Sequence, residues 1–127
     1  MKRLTAAMLV ALTASAASAQ TFTTKNHLDV SAPSPDQITV FGPAELWARD
    51  YWCAVGDYAF RRLGLDFTDR LQVIRPYQSS DESVVFGVGG TPASVFSLAA
   101  TVRTPGANLS VGQARSYCAD RIIRSSR

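Results

Sequence analysis

The stretch YWCAVGDYAF, residues 51–60, places Tyr51, Trp52, Tyr58 and Phe60 beside Cys53 and Gly56. Its spacing is helical. Trp47, Tyr51, Ala54 and Tyr58 recur at steps of four, three and four, and Ala48, Trp52, Val55 and Ala59 widen the stripe. A stripe this broad calls for a sheet as its cover rather than one neighbouring helix. Gly42-Pro43 sets the predicted start, because proline suits the first helical position and Glu45 then meets the positive end of the dipole. Gly64 is a natural left-handed stop. The predicted helix over 43–63 is about 31 Å long. Glycine in a helix interior costs roughly 1 kcal/mol, so Gly56 predicts the close approach of another backbone.

Outward from this helix the hydrophobic period falls to two. Residues 21–41 read as a hairpin, with Leu28 and Val30 in one arm, Ile38-Thr39-Val40-Phe41 in the other, and the Pro33-Ser34-Pro35-Asp36 run between them. Arg70–Tyr77 is strand-like. Ser83–Val88 and Ser94–Val102 bracket Gly89-Gly90-Thr91-Pro92 as a second hairpin, and Phe96, Leu98, Ala100 and Val102 alternate as a half-buried strand does. The run 104–108 reads as a loop. Ser110 with Gln113 forms a capping box that opens a second helix to about Ile123. The predicted class is α+β, in the order β-β-α-β-β-β-α. About five antiparallel strands carry both helices on one face.

The first twenty residues, MKRLTAAMLVALTASAASAQ, carry a second message. Lys2 and Arg3 precede an apolar run, Leu4 to Ala14, that is too short to span a bilayer. Ala17-Ser18-Ala19 has the small-x-small form cut by signal peptidase. Residues 1–19 are therefore expected to be a secretion signal, cleaved between Ala19 and Gln20, and residues 20–127 one small exported domain, periplasmic or secreted. Of the 13 Lys and Arg residues, Lys2 and Arg3 fall in the leader, leaving 11 against 10 Asp and Glu. That near-balance lacks the basic stripe of a nucleic-acid binder. Arg121, Arg124 and Arg127 read as a solvated tail.

An exported chain with two cysteines is expected to join them, here Cys53 to Cys118. The bond closes a loop of 65 residues, worth up to about 4 kcal/mol by the chain-entropy argument. Cys53 shares a helical stripe with Leu46, Asp50, Asp57 and Phe60, and Cys118 lines up with Val111, Ala114 and Ile122. With the two helices clasped, Asp50 and Asp57 fall near Arg115 and Arg121. Ion pairs flanking the disulfide are expected, each worth about 0–1 kcal/mol where exposed.

Catalytic patterns are thin. Asp50 and Asp57 lie about 10 Å apart along the helix axis, near the wide end for an inverting glycosidase pair, but structural ion pairing accounts for both. His27, the one histidine, shares a strand face with Asp29 without a third metal ligand in the pattern. Residues 87–92, GVGGTP, lack the Lys-Ser/Thr of a phosphate loop. There is no G-x-S-x-G elbow and no Cys-x-x-Cys pair. No metal or cofactor is expected.

Gly42-Pro43, Leu46-Trp47 and Trp52-Cys53-Ala54-Val55-Gly56-Asp57-Tyr58, together with the leader and the late Cys118, resemble a pattern in small exported alphaproteobacterial proteins of unknown function. The specific part spans about 17 residues. That resemblance adds support to the disulfide and carries over no assigned activity, substrate or catalytic residue. The expected function is a non-enzymatic exported domain binding a protein or a small apolar ligand in the cell envelope, with Trp47, Tyr51 or Tyr58 as the anchor. The alternatives are a small acid-residue hydrolase acting on envelope glycans and an inhibitor of an envelope hydrolase.

Overall fold

The computed structural model describes residues 21–34, 36–91 and 101–125. The expected leader over 1–19 lies outside the described residues, as do most of the expected strand 94–102 and the tail's last two residues. The described elements are β1 (Phe22–Thr23), β2 (Asp29–Ser34), β3 (Gln37–Phe41), α1 (Ala48–Arg61), β4 (Arg70–Gln78), β5 (Ser83–Val88), β6 (Asn108–Ser110) and α2 (Val111–Ser125). The fold is α+β. The strands form one sheet in the order β1-β2-β3-β5-β4-β6, with antiparallel neighbours throughout. Because β5 lies between β3 and β4, those two run parallel, and α1 is the crossover that joins them.

The period-two pattern sets the buried face. Ile38 and Val40 in β3, Leu71 and Val73 in β4, and Val84 and Phe86 in β5 are buried at alternate positions. Trp52 of α1 packs edge-on against Phe86, with ring centroids 4.9 Å apart. Around it Tyr51, Ala54, Val55 and Ala59 complete the interface with the sheet. Burying side chains of this size stabilises by about 1.5–3 kcal/mol each before chain entropy is set against it.

The other side of α1 meets α2. Cys53 and Cys118 are disulfide-bonded with their Cα atoms 5.0 Å apart. One turn along, Gly56 faces Ala114 and the backbone of Arg115. The contacts advance along α1 as they retreat along α2, so the helices pack antiparallel. The predicted capping box is present: Gln113 N–H donates to Ser110 Oγ at 3.1 Å, and Ser110 N–H donates to Gln113 Oε1 at 3.2 Å. The next orphan donors of α2 are met by the 66–69 loop, with Val111 N–H on the Asp69 carbonyl and Gly112 N–H on the Phe67 carbonyl.

The fold departs from the sequence reading at three places. Phe22–Thr23 is a strand of its own, paired with Asp29 and Val30, so the described sheet has six strands where about five were expected. The helix begins at Ala48 rather than Pro43. Residues 43–46 form a turn closed by Leu46 N–H on the Pro43 carbonyl. Tyr51 Oη donates to the Gly42 and Pro43 carbonyls, 2.9 Å from each, and holds that turn across the helix. The run expected to be loop at 104–108 ends in a strand, since Asn108–Ser110 pairs with Arg70–Gln72. At three residues, β6 is too short for a hydrophobic period to register.

Candidate functional site

The segments that depart from the local pattern enclose a cavity. Beyond Val73 the pairing of β4 with β5 shifts register. On its other edge, β4 takes up the chain that leads into β6. Gly106 N–H donates to the Val73 carbonyl, Val73 N–H to the Ala107 carbonyl, and Tyr77 N–H to the Val102 carbonyl at 2.9 Å. From the core, Trp52 Nε1–H donates to the Thr101 carbonyl at 3.1 Å. Residues 101–103 are thus pinned from the sheet edge and from α1 together.

Between this segment, the 42–48 turn and the end of β4 lies a part-open cavity of about 140 Å³. Ala44, Leu46, Ala48 and Val102 give it apolar walls, and Tyr51, Tyr77, Thr101 and Arg103 bring polar groups. A volume near 150 Å³ is enough for a molecule the size of benzene. The two tyrosine rings are tilted against each other at 5.8 Å. Their hydroxyls differ in circumstance. Tyr51 is buried and gives its proton to the Gly42 and Pro43 carbonyls. Tyr77 Oη is buried and has no hydrogen-bond partner among the described residues.

Both phenols are held in the neutral form. Burial, and then the nearby Tyr77 and Glu82, push Tyr51 up to about 12. Burial also raises Tyr77, with Glu82 and Glu45 adding to it and Arg103 opposing. Both side chains therefore stay un-ionised at physiological pH.

The residues singled out from sequence scatter around this cavity. Tyr51 lines it. Trp47, expected on the sheet-facing stripe, is instead 58% exposed with the Arg49 guanidinium over its ring, because the helix starts one residue later. Tyr58 is partly buried and meets the ring of Phe22 edge-on at 5.4 Å. Asp57 is fully buried, and its partner is not Arg115. Arg61, one turn on, donates to both carboxylate oxygens at 2.9 and 2.6 Å, and the Lys25 N–H adds a third bond at 2.8 Å. The i, i+4 partner on the same helix lies within reach whatever the tertiary packing.

Arg115 lies with its guanidinium 4.0 Å from the centre of the Phe60 ring, which is itself stacked on Phe67. Asp50 Oδ2 accepts from the Trp47 N–H at 3.2 Å, and the Asp50 carbonyl accepts from Asn26 Nδ2. The Arg121 side chain lies outside the described residues. His27 is exposed in the β1–β2 turn at φ 64°, and Asp29 accepts from Thr23 Oγ1. Among the described residues no three His, Cys, Asp or Glu side chains converge as metal ligands.

Sequence reasoning gave Tyr77 and Val102 places in strands and gave no site role to Tyr77, Thr101, Val102 or Arg103. Tyr77 carried a signal as an aromatic closing a strand directly after Pro76, and Val102 as a half-buried position in the alternation of 94–102. Among the described residues no helix is long and apolar enough to cross a membrane. Comparison with protein-family models, with curated proteins and with solved structures returned no match.

Proposed function

We propose that the protein is an exported, non-enzymatic domain of the cell envelope that holds a small, largely apolar molecule in the cavity between α1 and the end of β4. The observation that carries this reading is the part-open cavity of about 140 Å³ itself, walled by Ala44, Leu46, Ala48 and Val102 with Tyr51, Tyr77, Thr101 and Arg103 among its lining. Apolar walls with a few fixed polar groups are the usual make-up of a small-molecule site. The leader-like first nineteen residues and the Cys53–Cys118 bond support the export part of the proposal, since disulfides persist in oxidising compartments.

Native mass spectrometry of the protein purified from its own envelope tests it. A stoichiometric adduct of low mass is expected in the wild type, and its loss in Ala48→Leu, which narrows the cavity. A bare monomer in both proteins, with no small molecule shifting the thermal midpoint of either, overturns the reading.

A further inference from the structure

Most of the cavity wall is fixed by the fold. Ala48 and Tyr51 stand on α1, and Tyr77 stands on β4. The 101–103 segment is fastened twice, by the Trp52 Nε1–H on the Thr101 carbonyl and by the Tyr77 N–H on the Val102 carbonyl. The remaining wall, Ala44 and Leu46, belongs to the turn between β3 and α1.

That turn is held differently. The Gly42 N–H on the Glu82 carbonyl anchors its start, and the Leu46 N–H on the Pro43 carbonyl closes it on itself. Pro43, Ala44 and Glu45 are exposed. Among the described residues, one side chain reaches the turn from outside with a hydrogen bond: Tyr51 Oη donates to the Gly42 and Pro43 carbonyls, 2.9 Å from each. The spacer between turn and helix is therefore the phenol, and it is stiff. Tyrosine has two side-chain torsions and a flat ring, and Tyr51 is buried. The turn also lies directly on that ring. A Cβ built at Gly42 would come within 3.2 Å of both Tyr51 Cε1 and Oη, so glycine is what permits the approach.

Resting on the cavity reading, we infer that Tyr51 sets ligand size, its hydroxyl holding the 43–46 wall at a distance that admits an apolar molecule one ring wide and resists a broader one. Tyr51 is a positioning residue here, because it acts on the ligand through the turn. A cavity near 150 Å³ accepts benzene. A broader molecule enters only if the turn moves away from α1, which breaks the hydrogen bonds to the two carbonyls. Removing the hydroxyl removes that resistance and leaves the apolar walls as they are.

The test titrates the oxidised wild type and Tyr51→Phe with benzene and with 1,3,5-trimethylbenzene, followed by protein NMR. Neither probe carries a hydrogen-bonding group, so the pair compares breadth. Taking the ratio of the two affinities within each protein cancels the different water solubilities of the probes. The preference for benzene is expected to fall about fivefold in Tyr51→Phe, the range of one net hydrogen bond. A Tyr51 that only supported the fold would, when replaced, weaken both probes alike and leave the ratio unchanged. Pro43→Gly loosens the same wall from its exposed side and keeps the phenol, so it should move the ratio in the same direction, and it carries the test if Tyr51→Phe does not fold. Equal ratios in the wild type and the variant overturn the role of Tyr51 while the cavity reading stands. If neither probe binds the wild type, the cavity reading itself fails and this inference goes with it.

Discussion

Gly56 is where two opposing effects of known size can be weighed. Replacing it with alanine helps α1 by about 1 kcal/mol, because glycine is the costlier residue in a helix interior. Against this, the new Cβ would sit 2.8 Å from Ala114 Cβ, 2.9 Å from Arg115 N and 3.1 Å from the Ala114 carbonyl carbon. The last two are backbone, so no change of rotamer makes room. α2 must retreat by several tenths of an ångström, while the Cys53–Cys118 bond one turn away holds the two helices together.

Overpacking of this kind costs about 1–3 kcal/mol, and backbone obstruction places it at the upper end. The net expectation for Gly56→Ala is a loss of about 2 kcal/mol. Urea unfolding of the oxidised protein, read by tryptophan fluorescence, should show a midpoint lower by roughly 1 M with the slope unchanged. In a background with Cys53 and Cys118 both replaced by alanine, the same substitution should cost less, since α2 can then yield. A Gly56→Ala protein that unfolds at the same or a higher urea concentration refutes the close-approach argument.

Three further outcomes follow from the same contacts. The Cys53→Ala, Cys118→Ala protein should lose up to about 4 kcal/mol in urea unfolding, in line with its 65-residue loop, and a loss below about 1 kcal/mol would contradict the clasp as a main support. Asp57→Ala strips the partner from Arg61 and from the Lys25 N–H and should cost about 1–3 kcal/mol in the same assay. The loss is bounded because the Arg61 side chain is 45% exposed and can turn to water; a neutral Asp57→Ala would remove that carboxylate from the account of stability.

Tyr51 ionises near 10.0 when unfolded and is pushed up to about 12 when folded, chiefly by burial. Its contribution is present in full below pH 10 and is lost as the pH rises from there through about 12. Urea midpoints should therefore fall more steeply across that window in the wild type than in Tyr51→Phe, and parallel curves would sink the assignment.

Much of the architecture was legible because it is written in short-range pattern. A helical period through residues 48–61 needs only the chain itself, and so does the reciprocal reach of Ser110 and Gln113. Alternation in Gln37–Phe41 and Arg70–Gln78 marks one face for burial wherever the strands are placed. The pairing of Cys53 with Cys118 was legible for a different reason, since two cysteines admit one bond.

The candidate site was barely legible, because none of its properties is local. Trp47 belongs to the aromatic stripe by spacing, yet Tyr51 ties Gly42 and Pro43 back across the helix and shortens it from that end. Asp57 was expected to pair across the helix interface. A residue four positions along the same helix reaches it first.

The sequence by itself determined the class of the fold, the two helices and the bond that clasps them, because periodicity and cysteine count act over a few residues or through a single possible partner. The tertiary structure decided that Asn108–Ser110 is a strand, that residues 101–103 close a cavity against α1, and that the Tyr77 hydroxyl is buried without a hydrogen-bond partner among the described residues. Each of these depends on pairing and burial between segments distant along the chain. Hydrogen-bond accounting of that kind is settled only when the segments meet.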